Sequence, residues 1–174
     1  MKTVRLFVTL MSMLLGLSAF AADAEYYTQH NFWIYKGSHS TVNYAVDALV
    51  PVNTKVKIGK ESDSKLELTL SESGTKFTVV LAKKYTQKSM TEIKARMLGD
   101  KPVDLTKFSK IAQSAIKLGE IKPGMTRAEV LVARGYPPEQ STISLDSDQW
   151  KYNQTKWNTI LVQYENGKVA SIKD

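Results

Sequence analysis

The stretch from Ile121 to Pro138 leaves this chain less conformational choice than any other. Thr126 and Glu129 stand three residues apart in the order of a capping box, so each side chain can answer the other's free backbone N–H. Met125 before the cap and Val130 after it can form a hydrophobic staple. The helix so started runs to Arg134. Gly135 offers the left-handed exit, and Pro137-Pro138 forbids a return to helix. Strands are expected at 149–154, 158–164 and 168–173, with Asn166-Gly167 as a two-residue hairpin turn between the last two. Upstream, Asp104 can cap a helix whose stripe is Leu105, Phe108, Ile111, Ala112, Ala115 and Ile116, closed by Gly119. Residues 104–174 therefore read as a helix pair followed by a three-stranded antiparallel sheet.

Residues 22–81 have a different texture. Val56 and Ile58 alternate with lysines, and Leu66, Leu68 and Leu70 alternate with Lys65, Glu67 and Thr69. Phe77, Val79 and Leu81 repeat that period of two, and turn residues at 59–64 and 71–74 separate the runs. This predicts an antiparallel β meander or small barrel. Between the units, residues 82–103 read as a bridge with one short helix, opened by the capping box Ser89-Met90-Thr91-Glu92 and ended by Gly99. The expected fold class is α+β.

The first residues set the compartment. Lys2 and Arg5 precede an uncharged run from Leu6 to Phe20, and Ala19-Phe20-Ala21 places small residues where a signal peptidase reads. About 15 apolar residues fall short of the roughly 20 that a membrane helix needs. Residues 1–21 are thus read as a signal peptide, and its removal takes the formal charge from +7 to +5. The chain has no cysteine, which excludes disulfides, thiolate metal sites, a cysteine nucleophile and lipidation of a first mature cysteine. The expectation is a periplasmic or secreted protein that is not a lipoprotein.

Gly124-Met125-Thr126, Glu129-Val130, Gly135, Pro137, Asp148, Trp150, Tyr152, Val162, Gly167-Lys168-Val169 and Ile172 together resemble the SmpA/OmlA family. These are small outer-membrane assembly proteins that include the E component of the β-barrel assembly machinery. The resemblance covers about residues 118–174. It implies the fold shared with β-lactamase inhibitory proteins, a helix pair against a small antiparallel sheet, and a role in envelope protein assembly. The stretch from Tyr44 to Ile58 faintly resembles the opening strands of bacterial Src-homology-3-like domains, which bind peptidoglycan or peptides.

Catalytic chemistry is hard to place. His30 and His39 are the only histidines, lack metal-ligand spacing, and read as exposed or turn residues. No G-x-S-x-G or phosphate loop occurs, and Asp146 and Asp148 fall in a polar loop. No catalytic residue, cofactor or metal is assigned, and the protein is read as a non-enzyme. Aromatic residues are the remaining candidates. Tyr26, Tyr27, Phe32, Trp33 and Tyr35 cluster in the N-terminal unit, while Trp150, Tyr152 and Trp157 lie in the C-terminal sheet, Trp157 at a bend. The candidate partner-binding residues are Trp33, Tyr35, Trp150, Tyr152 and Trp157. The leading expectation is a protein-interaction module with an envelope protein partner. The alternative is cell-wall glycan or peptide binding by the N-terminal β unit. Peptidoglycan or an anionic membrane surface could attract its lysines; nucleic acid is excluded by export.

Overall fold

Alternating strands with one apolar face need a cover, and this chain supplies it from its own bridge. The computed structural model describes residues 24–174; the expected signal peptide, 1–21, lies outside them. The N-terminal strands are β1 (Glu25–Thr28), β2 (Phe32–Ile34), β3 (Ser38–Ser40), β4 (Ala48–Val50), β5 (Lys55–Glu61), β6 (Lys65–Leu70) and β7 (Lys76–Val80). Strands β5, β6 and β7 form the expected antiparallel meander, with Leu68 opposite Ile58 on one side and Phe77 on the other. The periodicity did not announce that β3 runs parallel to β7, or that β2 and β4 form a ladder of their own.

The bridge belongs to this unit. Helix α1 (Met90–Met97) starts at the expected Ser89–Glu92 capping box, and β8 (Leu98–Gly99) pairs with β1 at the end of a six-stranded sheet. Met90, Ile93 and Met97 share one buried cluster with Phe32, Leu66 and Phe77. Residues spaced at three and four along a helix make an apolar stripe that must be buried, and the meander's inner face receives it.

The C-terminal unit has α2 (Lys110–Leu118), α3 (Arg127–Arg134), β9 (Gln149–Asn153), β10 (Thr159–Glu165) and β11 (Lys168–Lys173). The sheet order β11-β10-β9 is antiparallel throughout, so the molecule is α+β. Asn166 and Gly167 both have positive φ, 50° and 75°, as a primed hairpin turn requires. The single helix expected from Asp104 is in fact two pieces. Asp104 caps only a 3-10 turn at Leu105–Lys107, and Ser109 caps α2 by accepting from the Ala112 amide. The break turns Ile111 outward, to half exposure. Trp150, Tyr152, Val162 and Tyr164 pack beneath both helices with Ala115, Ile116, Met125 and Val130. No helix among the described residues is long and apolar enough to cross a membrane.

A polar seam joins the units. The Asn31 side chain donates to Ile116 O at 2.5 Å and Ala133 O at 3.0 Å, and accepts from Val52 N at 2.7 Å. Asn43 donates to Arg134 O and Tyr136 O at 2.8 and 3.0 Å. The last carbonyls of a helix have no partner within it; at Ala133 and Arg134 two asparagines from the N-terminal unit supply them. Gly119 permits the close approach, because a Cβ there would sit 2.5 Å from Trp33 Cζ2.

Candidate functional site

The five aromatic candidates separate sharply once the sheet register is known. Residues two apart on a strand face the same way, and in β9 that way is inward. Trp150 and Tyr152 are fully buried, and the Tyr152 hydroxyl donates to Gly135 O at 2.9 Å. Neither can meet a partner while the helices cover the sheet. Trp33 is also withdrawn: it is 9% exposed, wedged against Gly119, with the Arg134 guanidinium 4.5 Å from its ring centre. Phe32 is fully buried, so the N-terminal cluster is chiefly packing and not a platform.

Tyr35 and Trp157 remain on the surface. Tyr35 is 50% exposed in a tight turn closed by paired backbone bonds with Ser38, with Lys36 Nζ 5.2 Å from its ring. Trp157 is 83% exposed at the bend between β9 and β10. The bend is built locally, since the Thr155 hydroxyl accepts from the amides of both Trp157 and Asn158 at 3.1 Å. Lys156 Nζ lies 5.0 Å from the indole. Beside the ring runs an open groove bounded by Ala45, Gln154, Thr159 and Asp174. A large apolar ring in water beside a concave surface suits contact with another molecule.

The histidines correct the expectation of exposure. Both are buried, and both Nδ1 atoms lie 2.9 Å from a carbonyl oxygen, Asn31 O for His30 and Trp33 O for His39. A carbonyl only accepts, so each Nδ1 carries the proton. Burial lowers both pKa values, that of His39 to about 4, and the Arg96 charge adds to the effect at His30. They are neutral members of the seam. Asp148 accepts from Arg127 at 2.8 Å, and Asp146 is exposed in the loop beside it. Among the described residues no group of three or more His, Asp or Glu side chains converges on a point that could hold a metal ion.

The residues that sequence reasoning missed are polar groups of the seam, Asn31, Asn43 and Arg134. Asn43 interrupts an apolar run at a positive φ of 57°, and that interruption was the only signal available. No family model, curated protein or solved structure matches the chain.

Proposed function

We propose that this protein is an exported, non-catalytic docking module of the cell envelope. It engages a protein partner through the tip of the β9–β10 hairpin and the adjoining groove. The observation that carries this reading is Trp157, a large aromatic side chain held 83% exposed by a bonded turn. Exposing an indole forgoes roughly 2 kcal/mol or more of burial energy, and aromatic anchors of this kind concentrate binding energy at interfaces. The resemblance of residues 118–174 to envelope assembly proteins supports a role in outer-membrane or envelope assembly. The signal-peptide pattern supports a periplasmic or secreted location.

The test is capture from envelope extracts with a photo-crosslinker in place of Asn158, next to the indole. A discrete protein adduct that Trp157→Ala abolishes is the expected result. An adduct pattern indifferent to Trp157→Ala, or no protein adduct at all, sinks the reading.

A further inference from the structure

Three arginines lie within the described residues, and two have carboxylate partners: Arg96 with Glu139 at 2.9 Å and Arg127 with Asp148 at 2.8 Å. Arg134 is the most deeply buried of the three, at 3% exposure, and no carboxylate among the described residues pairs with it. A guanidinium carries five N–H donors. In Arg134 only Nη2 is engaged, donating to Asn153 O at 3.1 Å and Gln154 Oε1 at 3.3 Å. Among the described residues the buried Nε–H finds no acceptor and Nη1 no bond. The faces of Trp33 and Tyr152, 4.5 and 5.9 Å away, offset part of the desolvation. They leave the in-plane donors idle, and idle buried donors are costly.

The residue nevertheless borders open space. Arg134 lines a depression of about 190 Å³ that also takes in Gln154, Ile160, Ile172 and Asp174. Gln154 and Asp174 border the Trp157 groove as well, so the two concavities adjoin. At the rim, Lys122 is paired with Glu120 at 2.6 Å, and Asp174 is exposed.

We propose that Arg134 anchors a carboxylate side chain of the docked protein, an aspartate or glutamate that enters the depression while Trp157 takes the partner's apolar surface. This rests on the docking reading of the same hairpin. Planar guanidinium and planar carboxylate match in geometry, and their charge-assisted bonds are the strong ones. Burial holds the Arg134 pKa down to about 10, the direction expected of a cation with no anion beside it. The partner is therefore acidic at the residue that lands next to its apolar contact.

The experiment needs no partner. A capped Ala-Glu-Ala peptide and a capped Ala-Gln-Ala peptide are titrated into the full mature chain, with the Nε–H resonance of Arg134 followed by NMR. The glutamate peptide is expected to shift that resonance saturably and the glutamine peptide to leave it in place. Gln154→Glu supplies a carboxylate in place and should weaken the glutamate peptide about tenfold, while Asp174→Asn, which removes a rim charge, should tighten it. An unmoved resonance, equal shifts with both peptides, or no effect of Gln154→Glu overturns the anchor. The Trp157 crosslink is read separately, so a null titration removes the carboxylate anchor without touching the docking reading. Loss of the crosslink removes the docking reading even where the titration succeeds.

Discussion

Thr126 and Glu129 close the start of α3 from within its own first turn, whereas its end is closed by Asn31 and Asn43, 102 and 91 residues away along the chain. The same division holds across the molecule. Helix starts and hairpins of the C-terminal unit are made by neighbours in sequence: Ser109 for α2, Asn166-Gly167 for β10–β11. The end of α3, and with it the docking of one unit on the other, is made by polar groups of the N-terminal unit, while α2 is closed locally by left-handed Gly119. The lesson is that each unit owns an apolar core, yet α3 is complete only when the N-terminal unit is in place.

The strongest way to break this picture is Trp150→Ala. It empties a fully buried site beneath both helices and is expected to cost about 4 kcal/mol. If the units depend on one another, calorimetry records one transition at lower temperature. Two transitions, with the N-terminal unit unmoved, would refute the dependence. Asn31→Ala comes next. It leaves Ala133 O and Val52 N unpaired in a buried seam and Ile116 O with only its bond from the Gly119 amide, at roughly 3 kcal/mol together. A urea midpoint within error of the parent would show that the asparagine is not holding the units.

Acid attacks the same seam. His39 faces the Phe32 ring and Trp33 O, and His30 faces Tyr136, Phe32 and the Arg96 guanidinium, itself paired with Glu139. Among the described residues no carboxylate faces either ring directly. The unfolded chain binds a proton near pH 6.5, which folded His39 refuses until about pH 4. Stability is therefore full above pH 6.5 and declines as pH falls through that window, by on the order of 3 kcal/mol for His39. His39→Gln should flatten this acid limb in denaturant titrations; a limb of unchanged slope counts against it. Thr126→Ala, a local cap, is expected to cost only about 1 kcal/mol, measured by the urea midpoint. Trp157→Ala should leave stability within about 0.5 kcal/mol of the parent, since the ring packs on little. A larger loss would mean that the indole is structural.

This contrast also explains what the sequence could disclose. Both capping boxes, the period-two strands and the Asn-Gly turn rest on residues within a few positions of each other, and the structure bears them out. Pairings that depend on distant chain were invisible: the parallel β3–β7 pair and β8 beside β1. For the candidate site, alternation placed Trp150 and Tyr152 on one face of β9 but could not say which face the helices would cover. Trp157 was legible because a bend lies outside that ambiguity. Arg134 was not, because a lone arginine at a helix end reads as an ordinary solvated cation until Trp33 is seen beneath it.

Glu129 carries one more consequence. Burial alone would raise the pKa of its carboxyl, but bonds from Thr126 and Ser109 outweigh that and keep it charged. One oxygen accepts from the Thr126 amide, the other from the Ser109 amide, both at 2.7 Å. A single anion thus latches the first turns of two successive helices. Neither can fray from its N-terminal end without loosening the other, so their amides should trade hydrogen for deuterium in step, as one opening event.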